Sequence, residues 1–383
     1  MAFEGIKFLH CADIHMDIPF CDHGNEGYSE MRKQDVRRTF EGIVKLSREE
    51  KVDFVLISGD LYEHQYTSRL SVEWIESLLG SLSIPVVIIP GNHDPFTANS
   101  WYRIRGWPDN VIILSSERPS VRLDSIGTFV YGIGFSSFRQ DKPDLSRISR
   151  PDSDCFNILM LHGTLDMDIG KPYNPVASDE LCALDYDYYA LGHFHNRITD
   201  FRLKNAANPG SPEPLGFDEK GDHGVFIVSI ERIDQGQKRL KIESRNTAQR
   251  KYSESVLDIT PFKSTDEIKQ GIMNLLKDFD KERDLIRVIL RGRAGCAIDD
   301  EALEELVCRG WRYLKIRNEA RNNCDYEATA MEETLKGAYA REILMRIKSC
   351  EENGDDGSIP ILTAALDLGI EALQYGRIDT SFD

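Results

Sequence analysis

Seven side chains able to hold a metal ion, and an eighth able to pass a proton, stand at the ends of five apolar runs in this sequence. They are Asp13 and His15 in IKFLHCADIH (6–15), Asp60 in DFVLISGD (53–60), Asn92 and His93 in IPVVIIPGNHD (84–94), His162 in FNILMLHG (156–163), and His193 and His195 in YDYYALGHFH (186–195). Imidazole nitrogens with carboxylate and amide oxygens, and no cysteine among them, suit divalent manganese, iron or zinc better than calcium or magnesium. Seven ligands are too many for one ion, so the pattern implies two, with a carboxylate such as Asp60 bridging them at about 3.5–4 Å. Such a pair stabilises charge building up on phosphorus and makes hydroxide available from bound water near neutral pH. His93, left off the metals, is then the candidate general acid for a leaving alkoxide.

Each of these residues follows an apolar, β-branched run that reads as a buried strand. Helical patterns separate the first three: Val36, Phe40, Ile43, Val44 and Leu46 in 30–50, then Leu70, Trp74, Ile75, Leu78, Leu79 and Leu82 in 69–82, each set largely on one face. Strand and helix alternating in this way imply an α/β sheet with right-handed crossovers. Ligands bind outside the carboxyl ends of such strands, and the spacings are ones a single sheet can satisfy, so all eight residues are expected at one edge.

Further along, GVFIVSI (224–230) and KRLKIES (238–244) read as antiparallel strands. A small α+β unit is expected over 251–326: strands at SVLDI, LIRVILRG and YLKIRNE, a helix opened by a Ser264/Glu267 capping box and ending at Leu276, and a helix near 299–308. Two helical patterns, about 330–350 and 360–375, occupy a third segment, 327–383, leaving 1–250 as the domain that carries the constellation.

A chain of 383 residues with 41% hydrophobic and 29% charged residues can bury a sizeable core and is not disordered by composition. MAFEGIKFLH has neither the basic nor the long apolar part of a signal peptide, and no stretch reaches the roughly 18 apolar residues of a membrane span. A cytoplasmic protein that does not associate with membranes is expected, with its eight cysteines reduced. The net charge of -17 argues against binding nucleic acid by charge alone. His10 reads as a hydrogen-bonded core residue, and His23 and His223 as solvated loop residues.

Read in order, CADIHMD, SGDLYE, PGNHD, LHG and ALGHFH resemble the signature of the calcineurin-like metallophosphoesterases. NPGSPEPLGFDEKGDHGVFIVSIE (208–231) resembles the segment that follows the last His pair in SbcD-type DNA-repair nucleases, and HCADIHMDIPF with DELCALDYDYYALGHFH is similar to their YhaO branch. The resemblance implies an α/β sandwich with a small α+β capping domain and a C-terminal helical tail. It implies one manganese on Asp13, His15, Asp60 and His195, a second on Asp60, Asn92, His162 and His193, and His93 near the scissile phosphate. It further implies a homodimer through the apolar face Leu70 to Leu82, and a tail that binds an SMC-like ATPase of SbcC type, YhaN in the YhaO branch.

One position departs from this family, which commonly carries a His three residues after the bridging Asp: here it is Glu63, and the next residue, His64, is the candidate substitute, with a solvated histidine as the alternative. A basic, aromatic-interleaved stretch, Arg309, Trp311, Arg312, Tyr313, Lys315 and Arg317, is a candidate for phosphate-backbone contact, through Arg312, Lys315 and Arg317 in particular. On a strand, Tyr313, Lys315 and Arg317 would share one face, a pattern that ordinary solvation explains equally well.

The function expected from the whole is a metal-dependent DNA exonuclease/endonuclease, the nuclease subunit of an ATPase complex in DNA repair. A phosphodiesterase or phosphatase for nucleotides or other small phosphoesters is the alternative, because the dimetal core alone does not fix substrate. A structural tether of the ATPase is a third reading.

Overall fold

A computed structural model of the chain describes residues 3–21, 26–148, 151, 154–167, 173–233, 237–296, 298–322 and 325–375. His23 and residues 376–383 of the tail lie outside the described residues. Two compact units are present: 1–254 with 279–286 and 310–314, and 255–278 with 287–309 and 315–383.

The apolar runs become strands buried on both faces, which is why they show little alternation. In the first unit one sheet runs β11 (Lys238–Asn246), β10 (Gly224–Arg232), β1 (Gly5–Cys11), β2 (Phe54–Ser58), β3 (Val86–Ile89) and β4 (Val111–Ile113), parallel from β1 to β4 with antiparallel β10 and β11 added beside β1. A second sheet runs β5 (Ser120–Leu123), β6 (Thr128–Ile133), β7 (Phe156–His162), β8 (Tyr188–Gly192) and β9 (Ala206–Ala207), parallel from β6 onward. The single sheet expected from the spacings is therefore corrected: the five motifs come from two sheets, three from the first and two from the second.

Period-two alternation decides what each strand buries. Phe8, Phe54, Leu56, Val87 and Ile89 of the first sheet meet Val130, Phe156, Ile158, Met160 and Tyr188 of the second in one core. Leu9, Cys11, Val55, Ile57 and Ile88 point the other way, against α1 (Glu26–Glu49) and α2 (Arg69–Gly80). Each such large side chain contributes roughly 1.5–3 kcal/mol on burial. Helix α1 buries Val36, Phe40, Ile43 and Val44 as its periodicity requires. Helix α2 starts where Ser68 Oγ accepts from Ser71 N at 3.1 Å, and buries Val72, Ile75 and Leu79, while Leu70 is 76% exposed. Of the six apolar residues in 69–82 five thus face the core, Ile75, Leu79 and Leu82 buried and Trp74 and Leu78 half-buried against them, and Leu70 falls off that face. Short helices α3 (Trp101–Ile104) and α4 (Ser178–Cys182) also belong to this unit.

His10 is buried between the sheets, with Nδ1 2.9 Å from Tyr188 Oη and Nε2 3.0 Å from both Ser58 Oγ and the Leu191 carbonyl oxygen, as expected of a core histidine. Burial outweighs the bond to Leu191 and pushes its imidazole down from 6.5 to about 3. The folded value lies below the unfolded one, so this neutral ring's contribution is complete above pH 6.5 and is lost as pH falls toward 3, by up to about 1.4 kcal/mol per pH unit. The NMR shift of its ring protons is expected to stay flat from about pH 8 to about pH 5; a midpoint near the free value would contradict the burial. His223 corrects its solvated reading: it is buried, with Nδ1 2.9 Å from the Ser211 carbonyl oxygen.

The remaining elements are β12 (Lys251–Asp258), α5 (Thr265–Leu275), β13 (Asp284–Arg291), β14 (Arg293–Ala294), α6 (Asp300–Val307), β15 (Tyr313–Asn318), β16 (Arg321–Asn322), α7 (Tyr326–Ala330), α8 (Leu335–Asn353) and α9 (Ile359–Tyr375), with β12, β13 and β15 in one sheet. Ser264 caps α5 through Glu267 N at 3.3 Å, but the Glu267 carboxylate accepts from Lys263 N at 2.7 Å, so only half of the expected capping box forms. Ala340 and Ile343 of α8 pack on Leu366 and Ile370 of α9. In the same unit Arg293 bonds both Tyr326 and Asp367. Among the described residues no helix is long and apolar enough to cross a membrane.

Candidate metal centre

At the carboxyl ends of β1 and β2 the backbone turns through conformations that side chains seldom adopt. Asp13, His15 and Asp60 have φ of 53°, 50° and 52°, and His193, after β8, has 109°. Such residues cost on the order of 1–3 kcal/mol each and persist only where their surroundings fix them. Here the surroundings are two exit loops paired by backbone bonds, Asp13 N to the Gly59 carbonyl at 3.1 Å and His15 N to that of Asp60 at 3.0 Å. The loop after β3 is held by Asp94, whose carboxylate accepts from Gly91 N at 2.6 Å, Leu61 N at 2.7 Å and Tyr102 Oη at 2.6 Å. Asp94 therefore pins the loop that carries Asn92 and His93. No larger residue fits at Gly91, where a Cβ would lie 2.1 Å from Asp60 Oδ1.

Those loops bring the seven candidate ligands together. Asp13, His15 and His195 offer atoms mutually within 4.8 Å, as do Asp13, Asp60 and His162. Asn92 Oδ1 is 3.1 Å from both His162 Nε2 and His193 Nδ1, and Asp60 Oδ2 is 3.2 Å from His162 Nε2 and 3.6 Å from His15 Nε2. A third grouping, His15, Asp60 and His93, meets the same 4.8 Å limit. His93 differs from the others in exposure, its side chain being 43% accessible where those of His15 and Asp60 are 1% and 2%.

Hydrogen bonds on the far side of each ring decide which nitrogen faces the cluster. His15 Nδ1 donates to Glu63 at 2.7 Å, His195 Nδ1 to Glu219 at 2.7 Å, and His162 Nδ1 to the Ser58 carbonyl at 2.8 Å. Each leaves Nε2 facing inward, where an ion can displace its proton, the arrangement in which carboxylates and carbonyls orient metal-binding histidines. Glu63 spans two rings, since its other oxygen is 2.9 Å from His93 Nδ1. Glu219 is fixed in turn by Ser211 Oγ at 2.7 Å and Leu215 N at 2.9 Å.

The electrostatics call for cations. Burial raises the Asp13 carboxyl, whereas His162 and its neighbouring imidazoles overcome burial to hold Asp60 well below the usual range. Burial opposes charge on His162 too, but Asp60 and Asp13 push it up to about 9; Glu219 and Asp13 do the same for His195. Buried carboxylates thus draw protons onto the very nitrogens that divalent ions would compete for, so the donor set fits such ions in charge as well as in kind.

Among the remaining candidates, His64 is half-buried and bonds through its backbone N to the His93 carbonyl at 3.1 Å. Lys315 lies 3.3 Å from Glu304 and Arg317 2.9 Å from Glu319, so two of the three basic candidates carry carboxylate partners, and Arg312 is exposed. Tyr313 is buried, its ring 4.6 Å from that of Tyr28, and does not share an exposed face with them. Sequence reasoning missed the roles of Glu63 and Glu219. The first stood out only as a departure from the family's histidine, and nothing in the spacing marks the second.

A family model for calcineurin-like phosphoesterase matches residues 6–197. The uncharacterized metallophosphoesterase YhaO of Bacillus subtilis (strain 168) is 28% identical over 306 residues, which cover 76% of this chain and 72% of that protein. The DNA double-strand break repair protein Mre11 of Archaeoglobus fulgidus is 25% identical over 350 residues, 82% of this chain and 74% of that protein. A solved structure of a dimetal phosphatase from Danio rerio aligns with a TM-score of 0.39 and 12% identity over 63% of this chain and 96% of that one.

Proposed function

This chain belongs to the calcineurin-like phosphoesterase family, and within it we propose a metal-dependent nuclease that hydrolyses DNA phosphodiester bonds. The observation that carries the reading is the convergence of Asp13, His15, Asp60, Asn92, His162, His193 and His195 beside a partly exposed His93. Likeness to a protein named for DNA double-strand break repair extends over 82% of the chain, well beyond the part the family model matches, and supports DNA over a small ester.

Asp13, His15, Asp60 and His195 would hold one manganese and Asp60, Asn92, His162 and His193 the other. When bound, such ions supply charge stabilisation at phosphorus and hydroxide near neutral pH. The chain's own residues do the rest: Glu63 and Glu219 orient His15 and His195, and His93, held by Glu63 and facing solvent, gives a proton to the departing oxygen. Glu219→Gln keeps an acceptor but removes the charge behind His195, and is expected to weaken manganese binding about 10- to 100-fold. Isothermal titration of the metal-stripped protein checks this, and unchanged affinity would remove Glu219 from the site.

Digestion of linear duplex DNA by the purified protein with Mn2+, beside bis(p-nitrophenyl) phosphate, tests the reading as a whole. Cleavage of DNA supports it. Cleavage of the small ester alone supports the second reading, a small-phosphoester phosphodiesterase, which the net charge of -17 and the carboxylate partners of Lys315 and Arg317 favour.

The ATPase partnership belongs to the same proposal. Met345 and Ile361, on the two long C-terminal helices, are 61% and 71% exposed, and apolar side chains so placed suit a partner surface. Ile361→Asp is expected to abolish capture by an SMC-like ATPase in a pull-down while hydrolysis of the small ester continues. Undiminished capture would take that residue out of the interface.

A further inference from the structure

Beside His93 the structure holds an aromatic pair that the hydrolytic machinery does not use. The loop 134–140 leaves the carboxyl end of β6 and is tied to the ligand loops: Phe135 N donates to the Pro90 carbonyl at 2.9 Å, Gln140 Nε2 to Asn174 Oδ1 at 2.9 Å, and Asn174 Nδ2 to the His162 carbonyl at 3.0 Å. At its tip Phe138 is 44% exposed, its ring 5.6 Å from that of His64 at an interplanar angle of 67°. One exposed phenylalanine needs no explanation. The neighbouring His64 Nδ1 does: it is shielded from solvent and has no hydrogen-bond partner among the described residues, a state that costs free energy unless something else fills it.

The geometry points to a nucleobase subsite formed by Phe138 and His64, which takes the base of the nucleotide adjoining the scissile phosphate. A base supplies a flat face for the Phe138 ring, and seating it there turns the neighbouring His64 ring so that Nδ1, shielded in the unliganded chain, meets the base's polar edge. The backbone bond from His64 N to the His93 carbonyl sets the pair beside the residue assigned to the leaving oxygen. In a duplex that base is stacked on its neighbours, so the subsite selects an unpaired or frayed nucleotide. This subsite rests on the nuclease reading, deepening it to a class of substrate.

The test is fluorescence anisotropy of labelled tetrathymidylate, and of the same strand with abasic sites, on the full chain with Ca2+ in place of Mn2+. Wild type is expected to bind the base-bearing strand roughly 5- to 100-fold more tightly, as one stacked base implies. Phe138→Ala and Phe138→Leu should lose that preference and Phe138→Trp keep it. Equal affinities in wild type, a preference that survives in Phe138→Ala, or no binding of either strand would overturn the subsite. Manganese-dependent cleavage of DNA run in parallel separates the two readings. Cleavage without base preference removes the subsite alone, whereas base preference in a protein that cleaves only the small ester removes the nuclease and keeps a nucleotide site.

Discussion

Asp60→Asn is expected to take up neither metal ion and to lose turnover by at least about a hundredfold, since lost charge stabilisation alone is worth ~10²–10³. The substitution isolates charge from shape. Asn tolerates the φ of 52° at this position and can still accept the bond that His93 N makes to Asp60 Oδ1 at 2.8 Å. What it cannot supply is the carboxylate that lies 3.2 Å from His162 Nε2 and 3.6 Å from His15 Nε2, held ionised against burial. Because Asp60 stands between the His15 side and the His162 side of the cluster, its loss should empty both ion sites together. Metal analysis of the purified variant beside wild type reads this directly. Retention of both ions at full activity would leave no bridging role for Asp60.

How far the sequence went depended on the range of the interaction involved. Asp13 and His15 lie two residues apart on one exit loop, and GNHD is a single turn, so their joint delivery was legible from local pattern. Which sheet each strand joins was not. Phe8 and Phe156 are equally apolar, and only long-range packing places β1 in one sheet and β7 in the other. The same limit hid Glu219, which reaches His195 across 24 residues, and turned His223 from a solvated loop histidine into a buried one bonded to Ser211. Short-range propensity also overreached once: Glu267 sits at the right spacing for a reciprocal cap, yet bonds Lys263 N instead of Ser264 N. The expected apolar face of 69–82 holds for five of its six residues and fails at the sixth for a related reason. A helical stripe wide enough to include Leu70 exceeds the width that the core covers, and Leu70 is left in solvent.

Glu63 shows what a single departure from a family pattern can do. Where a histidine would carry its own proton, the carboxylate joins His15 Nδ1 at 2.7 Å to His93 Nδ1 at 2.9 Å, so one side chain orients a candidate ligand and the candidate acid together. Burial lowers the proton affinity of His93, but Glu63 and Asp60 outweigh it and push the imidazole up to about 9. In the metal-free chain the ring therefore holds its proton at neutral pH, the form a general acid requires, and Glu63 is the partner that still faces it where cations would neutralise Asp60.

For His93→Ala the expected result is a fall in kcat on DNA of roughly 10²- to 10⁴-fold with both metal ions still bound. The ring is 43% exposed and its Nδ1 is taken by Glu63, so its removal should leave the buried donors in place. The leaving group discriminates between roles. A deoxyribose oxygen leaves poorly without a proton, whereas p-nitrophenolate leaves well, so the variant should lose far less on bis(p-nitrophenyl) phosphate than on DNA. An equal loss on both esters would argue against proton donation. Loss of metal would instead place His93 among the ligands, in the grouping it makes with His15 and Asp60.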